Sequence, residues 1–170
     1  MSYRYWVRLD QNTGEVIEYS LTDGEYLSGY IETTKRPDDY PDMYTWSVSQ
    51  NAWVFILEKV KLAIATRRYQ AETQPITVGG HLFQTGDRDK TLLNGAVLKC
   101  LRNPAYSFNW KTLDGSFVTM NETNIIALHD AVIEYTEGCF EREYYLLQEL
   151  DNGTFTASVL DIGWPNTLIS

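Results

Sequence analysis

Phe108-Asn109-Trp110-Lys111-Thr112-Leu113-Asp114-Gly115-Ser116-Phe117-Val118 is the stretch on which the reading of this chain turns. Two short β-prone runs flank Leu113-Asp114-Gly115, and an Asp-Gly pair between such runs predicts a hairpin. Upstream, Leu92, Leu93, Ala96, Val97, Cys100 and Leu101 recur at helical spacing. They predict a helix capped by Asp87 or by Thr85 and ended by Asn103-Pro104. Downstream, Thr119-Met120-Asn121-Glu122 has the spacing of a capping box, which opens a helix running to about Leu150. Asp87–Leu150 therefore reads as helix, hairpin, helix, and the fold class is α+β.

Working toward the N-terminus, another helix is expected over 56–73. Ile56, Val60, Ala63, Ile64 and Arg67 share one side, and Leu57 and Leu62 widen the apolar arc. Gln74-Pro75 ends it, and Ile76 to Phe83 reads as two short strands around Gly79-Gly80. The first 55 residues read as β-rich. Tyr3, Tyr5, Val7 and Leu9 alternate, Asn12-Thr13-Gly14 turns the chain, and a strand from Val16 follows. A short strand is expected over Tyr26–Ile31, and Lys35 to Asp42, with two prolines, breaks the pattern. Tyr44-Thr45-Trp46 and Trp53-Val54-Phe55 then predict a hairpin with Trp46 facing Trp53. Beyond Asp151-Asn152-Gly153 a strand is expected from Thr154 to Leu160, and Trp164-Pro165-Asn166 ends it.

The chain has 170 residues and a formal charge of −9. That length is enough to bury a core without disulfide or metal staples. The charge argues against a sequence-independent grip on nucleic acid and against anionic membrane surfaces. Lys59, Lys61, Arg67 and Arg68 lie close together, a pattern read as a solvated helix face. Cys100 and Cys139 sit in apolar helical patterns and read as small core residues. The N-terminal residues lack the apolar run of a signal peptide, no stretch matches a membrane span, and folding in a reducing cytoplasm is expected. Aromatic residues are abundant, with 12 Tyr, 6 Phe and 5 Trp, and they crowd the first 55 positions. Such side chains suit interfaces and sugar-binding surfaces, and they equally suit small β cores.

The last helix carries two apolar stripes at a spacing of seven: Ile126, Ile133, Phe140, Leu147, and Ile125, Val132, Cys139, Leu146. Between them runs His129, Thr136, Glu143, Leu150, which is mostly polar. Two readings compete: one wide core face, or contacts with two neighbours, one from another subunit. Gly138 inside this helix costs about 1 kcal/mol against Ala; it either admits a close neighbour or is tolerated.

The search for chemistry selects no site. His81 and His129 are isolated in the sequence, no metal-protease, paired Cys-x-x-Cys or nucleophile-elbow motif occurs, and Gly79-Gly80 lacks the lysine and hydroxyl of a phosphate loop. Asp38, Asp39 and Asp42 offer oxygens for a hard cation, but their spacing is not that of an EF-hand, and a solvated acidic loop is the simpler reading. No pair among the acidic residues is singled out for glycoside hydrolysis. No enzyme activity, cofactor or metal is expected.

The run from about Lys59 to Leu150 resembles a phage-encoded family of unknown function found in tail and tail-fibre gene neighbourhoods. The matching fragments, in order, are Arg67-Arg68, Ile76-Thr77-Val78, Phe83-Gln84-Thr85, Asp87-Arg88, Leu93-Asn94-Gly95-Ala96, Asn109-Trp110-Lys111, Asp114 to Thr119 and Cys139-Phe140-Glu141-Arg142-Glu143. The resemblance implies a virion or tail-assembly context, with assembly in the host cytoplasm and final location in the virion tail. It supplies no catalytic residues. On it rests the expectation of a structural tail protein, an adaptor, hinge or fibre component, in contact with other tail proteins and with copies of itself. Residues 1–55 would be a β-rich adaptor-like region, 56–150 the shared helix-and-hairpin module and 151–170 a docking arm. Trp6, Trp46, Trp53 and Trp164 are the candidate contact anchors. Two alternatives are a tail-fibre assembly chaperone absent from the particle and a host-glycan-binding module.

Overall fold

The computed structural model describes residues 3–169. The fold is α+β, and the chain divides into two compact units, 1–63 and 64–170.

In the N-terminal unit, β1 (Tyr3–Leu9) is the middle strand of an antiparallel sheet with β2 (Val16–Asp23) and β3 (Ile31–Thr33) on its two sides. The Asp10 carboxylate fixes the β1–β2 turn by accepting from the backbone N–H groups of Asn12 and Thr13, both at 2.8 Å. Those bonds hold its carboxyl below the usual range. The expected strand over Tyr26–Ile31 forms later, at Ile31–Thr33, where the chain comes into register with Tyr5 to Val7. The alternation reading of β1 also needs correction. Trp6, on the face opposite Tyr3 and Tyr5, is buried like Val7 on the other face, so both faces of this strand are covered at that point. Tyr26 packs edge-on against Trp6 at 5.3 Å and the Arg4 guanidinium lies over its ring at 5.0 Å.

A second hairpin, β4 (Tyr44–Ser47) with β5 (Ala52–Phe55), pairs Trp46 opposite Trp53 as the sequence predicts. Their rings meet edge-on at 5.5 Å, and Trp53 in turn meets Tyr19 of β2 at 6.1 Å. A row of aromatic contacts thus joins the hairpin to the three-stranded sheet.

Helix α1 (Leu57–Glu72) carries the chain from the first unit into the second. Val60 and Ile64 are buried, but Leu57 and Leu62, expected in the apolar arc, are exposed. In the C-terminal unit, β6 (Ile76–Val78) and β7 (His81–Phe83) turn at Gly79-Gly80, where φ is +57° and +78°. Consecutive positive φ values are what the two-residue primed turn requires and what glycine permits. Helix α2 (Asp87–Arg102) follows, then the hairpin β8 (Phe108–Lys111) and β9 (Phe117–Met120), then the long helix α3 (Glu122–Asp151). The core lies where α2, β9 and α3 converge, around Leu93, Ala96, Met120, Ile125, Leu128 and Val132. Cys100 and Cys139 are buried free thiols.

Both expected helix caps are displaced. Thr85 is buried and its hydroxyl lies 2.7 Å from the Gln74 carbonyl and 3.1 Å from that of Glu72, so it ties the end of α1 to the start of α2 rather than capping. Gly86 stands at the N-cap. At α3 the N-cap is Asn121, whose side chain accepts from the Asn124 N–H at 3.0 Å, while Thr119 stays in β9 and bonds Asn109. The strand expected over Thr154–Leu160 is a single 3-10 turn, Ala157–Val159. Arg142 of α3 donates to the carbonyls of Val159 (3.0 Å) and Ile162 (3.1 Å), and Phe155, Ala157 and Leu160 are buried. The segment read as a docking arm is thereby packed within its own unit. A short strand, β10 (Leu168–Ile169), then runs parallel to β6.

Candidate interaction surfaces

The C-terminal unit presents two unlike surfaces. The first is a groove of about 860 Å³ between α2 and the β8–β9 hairpin. From α2 it is lined by Arg88, Leu92, Gly95 and Lys99, and from the opposite wall by Tyr106, Trp110 and Lys111. Tyr106, Phe108 and Trp110 form a ladder with successive ring centroids 5.5 Å apart, and the Lys99 ammonium sits 4.3 Å from the Tyr106 ring centre. The floor of the groove near the turn is tied by hydrogen bonds. Asp114 Oδ1 accepts from the Thr112 hydroxyl (2.5 Å), the Ser116 N–H (3.0 Å) and the Ser116 hydroxyl (2.8 Å), which holds its carboxyl down at about 2. The Leu113 N–H donates to Leu82 O at 2.9 Å and fastens the turn to β7.

The second surface is the outer side of α3. Ile125, Val132, Cys139 and Leu146 are buried, whereas Ile126, Ile133 and Phe140 of the parallel stripe are 38, 41 and 50% exposed. The two stripes are therefore not one wide core face: one faces the core and the other faces outward. Along one edge of the outward stripe run Asp130, Glu134, Glu137 and Glu141, spaced by three and four residues and so contiguous on the helix. Along the other edge Arg68 places its guanidinium 4.5 Å from the Phe140 ring centre. That guanidinium is already held by Glu72 (2.8 Å) and Glu143 (3.1 Å). Burial works against its charge, but these two carboxylates outweigh burial and raise its pKa. Gly138 admits a close neighbour, one of the two roles the sequence left open for it. A Cβ there would lie 2.9 Å from the Pro165 ring.

The four expected tryptophan anchors all make contacts within their own units, Trp6 and Trp46 buried and Trp53 and Trp164 half-buried. The Trp6 indole donates to Thr22 Oγ1 at 2.9 Å. Trp53 donates to the Thr34 carbonyl at 3.1 Å. Trp164 donates to the Leu160 carbonyl at 2.8 Å and lies under the Arg67 guanidinium. An indole with its N–H satisfied inside its own unit serves the fold first. Leu92 and Leu101, read from the sequence as part of the apolar stripe of α2, face outward, as does Phe117, which the sequence reading did not single out; the side taken by Ile126, Ile133 and Phe140 was left undecided. The seven-residue repeat on α3 was the available signal for the last three.

The basic run on α1 forms no free patch. Lys59 pairs with Glu15, Lys61 with Glu58, Arg67 with Asp161 and Arg68 with Glu72 and Glu143. Among the described residues no group of three or more His, Cys, Asp or Glu side chains is placed to hold a metal ion. His129 contacts the neighbouring Asp130 carboxylate at 3.3 Å, and His81 is exposed beside Phe83. Among the described residues, no helix is long and apolar enough to cross a membrane.

Fold and surfaces define a small α+β protein whose C-terminal unit carries an open groove and an outward apolar stripe. Residues 56–163, well over half of the chain, match a family model described as a domain of unknown function, DUF4376, and the chain belongs to that family. No curated protein and no solved structure matches it.

Proposed function

We propose that this protein is a structural component of a bacteriophage tail, an adaptor, hinge or fibre-associated part that works through protein–protein contacts and carries out no reaction. The observation that carries the reading is the outward stripe Ile126, Ile133, Phe140 on the longest helix. A helix already packed on one side normally turns its polar residues outward, and a sustained apolar row there favours a protein partner. The resemblance of 59–150 to a family from tail and tail-fibre gene neighbourhoods supplies the tail context.

The test is mass spectrometry of purified particles from a phage that encodes this chain. Its peptides are expected in isolated tails at a fixed ratio to the other tail subunits. Their absence from the particle overturns the structural role. Recovery of the chain with fibre subunits from infected cells, but not from virions, would instead identify an assembly chaperone.

A further inference from the structure

The two surfaces of the C-terminal unit are complementary to each other, and we propose that copies of this chain associate head to tail, the outer face of α3 of one copy seated in the α2–hairpin groove of the next. The inference rests on the contact reading above and names one partner for it, a second copy.

Charge carries the first part of the argument. Asp130, Glu134, Glu137 and Glu141 are exposed, and among the described residues none has a lysine or arginine partner. Two α3 helices pairing through this same face would set these carboxylates against one another, so a symmetric α3–α3 contact is opposed by like charge. In a chain of net charge −9 the groove carries a small positive excess, three cations against two carboxylates. Arg88, Lys99 and Lys111 line it, and among the described residues none is in an ion pair. Two carboxylates also line it, Asp89 near the start of α2 and Asp114, whose Oδ1 is committed to its own turn.

Shape carries the second part. Gly95 stands in the middle of α2, where glycine costs about 1 kcal/mol against alanine. Among the described residues no close neighbour explains it, because a Cβ at Gly95 would meet no heavy atom within 4 Å. Unlike Gly138, which makes room for Pro165, Gly95 leaves a notch in the groove wall between Leu92 and Lys99. The stripe on α3 offers side chains of the size to enter it: Ile126, Ile133 and the half-exposed Phe140. The acidic edge beside that stripe then meets the groove lysines. The two patches differ, and α2 packs on the buried side of α3, so one copy cannot satisfy both with a single partner. Such a heterologous contact propagates into a ring or a filament rather than closing as a two-fold dimer.

The test is sedimentation velocity on the full chain over a range of concentration. The wild type is expected to form species larger than a dimer. They should weaken by about tenfold or more when salt is raised from about 0.1 M to about 1 M, which shortens the Debye length from about 10 Å to about 3 Å. Gly95→Leu fills the notch at a helical position with open space around it, so it leaves folding intact, checked by circular dichroism, and abolishes association. Glu137→Lys with Glu141→Lys abolishes it from the other side. Mixed, the two variants form a two-chain complex and stop, because the groove of the second accepts the α3 face of the first. Self-association of Gly95→Leu equal to wild type overturns the head-to-tail contact, as does a wild type that stays monomeric at every concentration. A monomer still found in virions would overturn this inference while leaving the tail reading standing.

Discussion

The two units use aromatic residues in opposite ways. In residues 1–63 the aromatics are the interior: Trp6 and Trp46 are buried, and Tyr5, Tyr19, Trp53 and Trp46 form a continuous series of ring contacts. In residues 64–170 the interior is mostly aliphatic, around Leu93, Ile125, Leu128 and Val132, and the aromatics Tyr106, Phe108 and Trp110 pack at its margin. The difference follows from element size. Short strands offer few inward positions, so each must carry a large side chain. A 30-residue helix has inward positions to spare and can bury branched aliphatics along its length. The N-terminal unit thus has its tryptophans engaged within the unit and exposes tyrosines and aliphatics such as Tyr3, Tyr26, Ile17 and Leu21, whereas the C-terminal unit keeps the phenylalanines Phe117 and Phe140 exposed.

The largest effect is expected from attacking the aromatic interior. Trp6→Ala removes a buried ring and the Trp6–Thr22 hydrogen bond, and should cost about 3–5 kcal/mol. If the units are separately cohesive, urea titration should show early loss of tryptophan ellipticity in the near ultraviolet while the helical signal at 222 nm persists. A single coincident transition would break the comparison. Ile125→Ala is the mirror experiment in the aliphatic core, with an expected loss of about 2–5 kcal/mol and early loss of the helical signal instead. Arg68→Ala comes next. It leaves the nearly buried Glu72 carboxylate without its partner, and up to about 3 kcal/mol should be lost, with partial rescue by Arg68→Lys, which keeps the charge but not the fork of donors. Tyr135→Phe should cost only about 1 kcal/mol. It deletes the 2.8 Å bond to the Ala71 carbonyl, but that oxygen keeps the Gln74 N–H as a second partner.

What was legible in the sequence was local. The Asp114-Gly115 and Gly79-Gly80 turns, the facing Trp46 and Trp53, and the burial of both cysteines depend on residues close in sequence or on simple helical periodicity, and all are present in the structure. What was not legible depends on distant partners. Thr85 is drawn from capping by two carbonyls at the end of α1. The strand expected after Gly153 is replaced by a turn whose carbonyls Arg142 captures from α3. The two stripes of α3 are similarly apolar, and the packing of α2, β6 and β9 decides which of them faces out. The groove was invisible for the same reason, since its walls come from a helix and a hairpin that are adjacent only after folding.

The smallest predicted effect isolates the hairpin that forms one wall of that groove. Asp114 titrates at about 2 because hydrogen bonds from Thr112 and Ser116 favour its charged form, while the unfolded chain should titrate near the ordinary value of 3.8. The folded pKa is depressed, so the stabilisation is fully present above the unfolded value and disappears as pH falls through the folded one. Stability contributed by this turn should therefore be constant above about pH 5 and decline between about pH 4 and pH 2. Asp114→Asn removes that one carboxyl, and its melting temperature should approach that of the wild type as the pH falls through this window. An Asp114 carbon resonance titrating near 3.8 in the folded protein would show that the turn does not hold the carboxylate. The groove wall would then lack the carboxylate anchor that ties Thr112 to Ser116 at its turn.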